Sequence, residues 1–196
     1  MSNRSHEPSG ARFGARASDP SFVDIDQNHL QYETSRPTAI YHHWVLGRCA
    51  RLAGLESGMS VLDYGCGSQH LRGRLPDGVE YTGYDLVPRL STTADPLSRR
   101  YDCVFAIQVM MYIDADGLRE WVTAFAERTP LVVAMVPERS FLKDRVLDHF
   151  FGLDAERERL IRSQPAEIDE HLSRCFRRTA ARHALGFGRI GRWERH

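Results

Sequence analysis

Residues 61–69 read Val61-Leu62-Asp63-Tyr64-Gly65-Cys66-Gly67-Ser68-Gln69. Two bulky apolar residues lead into an acid, and the acid into a pair of glycines. That is the pattern of a buried strand running into a tight turn approached closely by a ligand. Glycine at 65 and 67 opens dihedrals closed to other residues and clears Cβ atoms from the ligand's path. The segment after it, Gln69 to Leu75, is expected to start a helix. Further out, Val79 to Asp85 reads as a second strand that also ends in an acid. Asp85 stands about 20 residues beyond the glycine turn, where an acid reaches ribose hydroxyls in a βαβ nucleotide site. Its two oxygens match two vicinal hydroxyl donors.

The charge of Asp63 selects among nucleotide ligands. A pyrophosphate at this turn would be repelled by it. The third glycine of G-x-G-x-x-G is also missing, because His70 stands there. A cofactor carrying an ammonium and a sulfonium suits the acid, which favours S-adenosylmethionine over a dinucleotide. From about Gly58 to Val136 the chain resembles the class I S-adenosylmethionine-dependent methyltransferases. The resemblance places Asp63, Gly65, Cys66 and Gly67 on that family's first motif. Asp85, followed by Leu86, falls on its ribose-binding acid. Ala94-Asp95-Pro96-Leu97 resembles the segment that holds the adenine amino group, with Asp95 as acceptor and Pro96 beside it. Tyr101 to Gln108 resembles the fourth strand, with Ile107 and Gln108 at its cofactor end, and Leu131 to Pro137 resembles the fifth.

The implied fold is α/β: a mostly parallel, Rossmann-like methyltransferase sheet closed by a C-terminal antiparallel hairpin. Two departures modify it. Gln69 replaces the family's usual third glycine. Only sixteen residues separate Asp85 from Asp102, and they include Pro88, Ser91, Thr92, Thr93 and Pro96. Such turn and breaker residues predict a vestigial helix and a very short or absent third strand.

The 196 residues carry 26 basic and 26 acidic side chains. Balanced charge gives no bulk attraction to nucleic acid or membrane surfaces. The longest apolar runs are of strand length, too short to span a bilayer, and no secretory leader is apparent. Cys49, Cys66, Cys103 and Cys175 lack metal or disulfide spacing, which fits reduced thiols in a cytoplasmic protein. Lys143 is the only lysine among many arginines, a codon signature of a GC-rich bacterial genome.

Residues 1–20 are expected to be disordered, 21–57 to form a cover segment and helix, and 58–196 to form the cofactor-binding domain. Pro37 to Ala53 reads as a helix, because Tyr41, Val45, Cys49 and Leu52 recur at helical spacing. Asp116 to Arg128 is a second helix, with Asp114 as its N-cap. Ser140 to Phe151 and Pro165 to Arg177 are expected to be helical. Gly186-Phe187-Gly188 lies between two extended runs and predicts a β-hairpin.

Methyl transfer is an in-line displacement, so the protein's main tasks are alignment and exclusion of water. For a hydroxyl or amine acceptor a general base is sought at the sheet's carboxyl edge. Four residues are candidates. His42 lines up with Leu46, Cys49 and Ala53, whereas His43 is expected to point elsewhere, about 100° around the helix. Tyr112 follows the fourth strand. His149 and His171 lie on apolar stripes of the helices after the fifth. For each histidine the simpler reading is a packed imidazole, on the helix surface for His42 and in the core for His149 and His171. No metal site is visible: Asp114 and Asp116 read as cap and first turn. The basic tail from Arg177 onward could hold RNA phosphates, but a solvated hairpin is the preferred reading. The reading is methyl transfer from S-adenosylmethionine, leaving S-adenosylhomocysteine, to an oxygen or nitrogen of a small molecule. The rivals are an RNA or protein methyltransferase, and a cofactor-binding domain of this fold without methyl transfer. The oligomeric state is left open.

Overall fold

The computed structural model describes residues 36–138, 161–185 and 188–196. Helix α1 spans Arg36–Ala53, and three parallel strands follow: β1 Ser60–Tyr64, β2 Glu80–Tyr84 and β3 Cys103–Ile107. Next come α2 Ala115–Ala126, β4 Leu131–Pro137, α3 Pro165–Ser173, β5 Phe176–His183 and β6 Gly188–Arg195. The sheet order is β2-β1-β3-β4-β6-β5. β4 pairs antiparallel with β6, and β6 antiparallel with β5. The mostly parallel sheet and the closing hairpin are as the sequence implies.

Both faces of the sheet are covered, and alternation along each strand divides the core in two. Leu62, Val104, Ala106, Val132 and Ala134 face one side, where α2 contributes Leu118, Trp121, Val122 and Phe125, and α3 contributes Ile168 and Leu172. Val61, Phe105, Ile107, Val133 and Met135 face the other, under Val45, Leu46 and Cys49 of α1. Burying one such Val, Leu or Phe side chain stabilises the fold by about 1.5–3 kcal/mol. Helix α2 starts where Asp114 accepts a hydrogen bond from the Gly117 N–H at 2.8 Å, as its cap role predicts.

Helix α1 runs antiparallel to the parallel strands. The Leu52 and Ala53 carbonyls at its C-terminal end accept from Arg192 on β6, opposite Val133 in mid-strand. The Tyr41 hydroxyl near its start reaches the Ala184 carbonyl at the tip side of the hairpin, beside the carboxyl end of β4. The first turns of α1 therefore stand at the carboxyl edge, where open α/β sheets receive ligands.

The region after β2 is shortened as predicted. A single 3₁₀ turn, Pro88–Leu90, stands for the helix, and no strand forms between β2 and β3. Hydroxyl groups occupy the edge a third strand would have paired. The Gly83 N–H donates to Thr92 Oγ1 at 2.8 Å, and the Thr92 N–H returns to the Gly83 carbonyl. Ser91 Oγ accepts from the Asp85 N–H at 2.7 Å and donates to the Asp85 carbonyl.

Two expectations are corrected. The crossover from β1 to β2 holds one 3₁₀ turn, Arg72–Arg74, rather than a helix starting at Gln69. Gln69 sits in the left-handed region at φ 59°, which reverses the chain, and Gly73 and Pro76 prevent propagation. Helix α3 ends at Ser173 rather than Arg177, because Phe176 already pairs with Arg195 and is fully buried. The predicted helix over Ser140 to Phe151, with His149, lies outside the described residues, as do residues 1–35.

Candidate active site

The site grows from the turn that follows β1. Gly65 and Gly67 have φ of +78° and +47°, and a Cβ on Gly65 would lie 2.7 Å from a Val109 methyl. Glycine at 65 is thus needed for its dihedral and for the approach of the chain that leaves β3. The Gly65 and Cys66 N–H groups both donate to the Tyr84 carbonyl, at 2.7 and 3.0 Å. The turn is thereby fastened to the end of β2.

Asp63 lies beneath this turn, 4 % exposed. Its Oδ2 accepts from the Tyr81 hydroxyl at 3.0 Å. Burial pushes its titration up to about 7; the Tyr81 hydrogen bond opposes the rise and the Asp85 carboxylate adds to it. Neither neighbour brings a positive charge. Burial, and then Asp63, push the Cys49 and Cys66 thiols up as well, so both are inert thiols.

Asp85 is also buried, and its carboxylate braces the turn. Oδ2 accepts from the Gly67 N–H at 2.9 Å and Oδ1 from the Val87 N–H at 3.0 Å. Each oxygen keeps a second lone pair for a ligand hydroxyl. Leu86 beside it is half-buried. Asp95 is exposed, its Oδ1 accepting from the Leu97 N–H at 2.9 Å, while Pro96 is buried. Burial first, then Asp85 and Asp95, push the Tyr84 phenol up to about 12. Ile107 closes β3, and Gln108 after it takes a left-handed φ of 59° while its N–H donates to the Met135 carbonyl. A bulky residue held there marks a strained strand end of the kind that functional sites retain.

The base candidates fall on opposite faces of the sheet. Tyr112 ends the 3₁₀ turn Met110–Tyr112 after β3 and is half-buried. His171 on α3 is 8 % exposed between Ile168 and Leu172, and its Nδ1 has no hydrogen-bond partner. The chain entering α3 clasps that turn: the Arg162 and Ser163 N–H groups donate to the Met111 carbonyl, and Ser163 Oγ to the Ile113 carbonyl at 2.6 Å. Tyr112 and His171 are therefore carried by adjoining elements. His42 belongs to the other face, on α1, and His149 lies outside the described residues.

His43, expected to point elsewhere than His42, also lies beside the turn after β1. Its ring centroid lies 4.9 Å from that of His70, and the His42 centroid lies 6.3 Å from both. Both rings of α1 thus lie within ring-contact distance of His70, on a turn that a helical wheel leaves out of account. His43, His70 and Tyr81 border the turn and its acids and were not among the residues singled out from sequence. Tyr81 had a signal, since it precedes Gly83, the partner of Asp63, by one strand repeat. His70 had none, because its segment has no periodicity.

A parallel sheet with a glycine turn and acids at two neighbouring strand ends defines the Rossmann-like methyltransferase class. Residues 40–182 match the family described as "Methyltransferase domain", and the chain belongs to that family. No curated protein sequence matches it. Among solved structures it is similar to magnesium protoporphyrin IX methyltransferase from Synechocystis PCC 6803, crystallised with S-adenosylhomocysteine. That likeness has a TM-score of 0.63 and 16% identity, over 90% of this chain and 96% of that one. It is similar to the S-adenosylhomocysteine-bound methyltransferase CalO1 of calicheamicin biosynthesis, with a TM-score of 0.61 and 16% identity over 97% and 64% of the chains. Human N-acetylserotonin methyltransferase, in complex with S-adenosylmethionine, has a TM-score of 0.59 and 16% identity, over 95% and 61%.

Proposed function

We propose that this chain transfers a methyl group from S-adenosylmethionine to an oxygen or nitrogen nucleophile of a small molecule, leaving S-adenosylhomocysteine. The observation that carries the reading is the pair of buried carboxyls, Asp63 and Asp85, beneath a glycine turn with no positive charge supplied by Tyr81 or by either acid to the other. Two acids buried side by side are suited to a cationic ligand. A pyrophosphate would raise the cost further. The residues present fit the cofactor: Asp63 suits its positive charge, Asp85 has lone pairs for ribose hydroxyls, and Asp95 keeps an oxygen for the adenine amino group. Bound there, the cofactor supplies a methyl group already activated by the sulfonium. The chain's own part is to align the acceptor from the β3 end at Gln108 to Tyr112, and to exclude water.

A small acceptor is favoured by the state of the C-terminal arginines. Arg178 and Arg189 pair with Asp169, Arg192 with Glu194, and Arg195 donates to the Ala126 carbonyl. A tail so engaged offers few free cations for RNA phosphates. Similar folds belong to a pyocyanin biosynthetic protein, a mitomycin 7-O-methyltransferase and a methyltransferase in calicheamicin biosynthesis, which supports a place in bacterial specialised metabolism. The test is calorimetry with S-adenosylhomocysteine and with NAD, followed by methyl transfer from labelled S-adenosylmethionine to small phenols and amines. Tight NAD binding without S-adenosylhomocysteine binding sinks the reading.

A further inference from the structure

Ile40 and Leu185 are the exposed large apolar side chains among the described residues, at 70 % and 65 % exposure. Scattered singly, such residues would need no explanation. Here each is the chain neighbour of one partner in a single hydrogen bond, from the Tyr41 hydroxyl to the Ala184 carbonyl at 3.3 Å. That bond brings both to one corner of the carboxyl edge, where the start of α1 meets the tip of the hairpin. Leu185 also holds a left-handed φ of 49°, a conformation that leucine rarely adopts. Strain and exposure at one residue are costs that the fold does not explain, and such outliers point to function.

The corner is continuous with the candidate active site. Gln108, after β3, donates its N–H to the Met135 carbonyl of β4. Pro137, at the end of β4, pairs with Gly188, whose carbonyl accepts from the Ala184 N–H at 2.7 Å. The strand ends thus lead in order from Gln108 to Leu185. Their two faces differ at this edge. On the α3 face the side chains are ionic: Arg189 pairs with Asp169 and Glu138, and His183 with Glu138. On the α1 face they are apolar: Ile107, Met135, Ile190 and Ala184 are buried there, with Tyr41 and Trp44 packed against them. The Tyr41 and Trp44 rings stack at 6.3 Å, and Trp44 follows Ile40 by one helical turn. A ligand group that crosses to the corner on the α1 face therefore meets carbon rather than charge. We propose that the methyl acceptor carries an apolar extension, such as an alkyl chain, which leaves the site along this face and lies over Ile40 and Leu185. This rests on the reading of a small-molecule acceptor given above, and adds its chemical class and two residues that select it.

The experiment is calorimetry on the full chain saturated with S-adenosylhomocysteine, with para-ethylphenol, para-butylphenol and para-hexylphenol as probes. The parent protein is expected to bind the hexyl probe about tenfold or more tightly than the ethyl probe, as successive methylenes leave water. Ile40→Ser and Leu185→Asn are each expected to cut that ratio by about two- to fivefold, asparagine being at ease in the left-handed region. A substitution that merely loosened the fold would weaken all three probes alike and leave the ratio unchanged. Unfolding midpoints show whether the variants fold, and one that does not is replaced by Ile40→Ala or Leu185→Gly and judged by the same ratio. A parent without chain-length dependence overturns the proposal. So do folded variants that keep the parent's ratio, since the chain would then lie elsewhere. Sedimentation of the parent and of Ile40→Ser adds a second check: a dimer dispersed by the substitution gives the corner to another copy of this chain and overturns the proposal as well. If the parent binds no S-adenosylhomocysteine, the cofactor reading itself fails and takes this inference with it. Labelled methyl transfer to small phenols or amines, together with a flat ratio, removes the inference alone.

Discussion

Asp63 shows how a single side chain can set stability and affinity against each other. Folded, it titrates at about 7, against 3.8 for an exposed aspartate. Between those values the folded chain keeps a proton that the unfolded chain has lost. Stability of the unliganded protein therefore falls as pH rises from about 4 to about 7, and is flat above that. Asp63→Asn removes this penalty. The variant is expected to be more stable than the parent at pH 8, by about 4 kcal/mol at most, with the gain fading toward pH 4. It is also expected to lose affinity for S-adenosylhomocysteine. Urea unfolding at pH 5 and pH 8 checks the first part, and equal slopes in both proteins would mean that Asp63 ionises freely. Gly65→Val is the opposite kind of change. It combines a positive φ with a contact to Val109, and is expected to cost about 2–5 kcal/mol and to abolish cofactor binding. Retained S-adenosylhomocysteine binding in that variant would reduce the turn to scaffold.

Among the elements, the connection after β2 is the most dependent on individual side chains. Thr92→Val keeps the shape of the residue but leaves the Gly83 N–H without its acceptor. The expected loss is about 1–3 kcal/mol, read from denaturant midpoints, with Thr92→Ser close to the parent. A neutral Thr92→Val would show that water replaces the hydroxyl. The same stretch shows what a sequence discloses. Its brevity and its Pro, Ser and Thr content told against a third strand, because breakers act locally. The strands and acids around the glycine turn were equally open to reading, since period and spacing are properties of the chain itself. The missing helix after Gln69 was not, because the reversal depends on a left-handed φ that glutamine rarely adopts. Nor was the end of α3: Cys175 and Phe176 continue its apolar stripe, and only pairing with β6 draws them into a strand. The histidine cluster joins α1 to a turn some thirty residues away, and no local pattern encodes that meeting.

For the whole molecule, two cores sit back to back across one sheet. Phe105 belongs to the layer under α1 and Phe125 to the layer under α2, both fully buried. Phe105→Ala and Phe125→Ala are each expected to cost about 3–5 kcal/mol. Because the sheet separates them, the double variant's loss is expected to be the sum of the two within about 0.5 kcal/mol, provided enough native protein survives to measure. A much smaller combined loss would reveal coupling through the strands. The sheet's two outer borders differ in kind. At one, Ser91 and Thr92 fill the bonding positions of β2 with their own hydroxyls. At the other, β5 is eight residues long and turns Arg177 and Arg182 to solvent. A bare strand is a template on which another copy can add. One border is plugged and the other repels by charge, so this chain can dispense with a strand of its fold and still resist growing, strand by strand, into an aggregate.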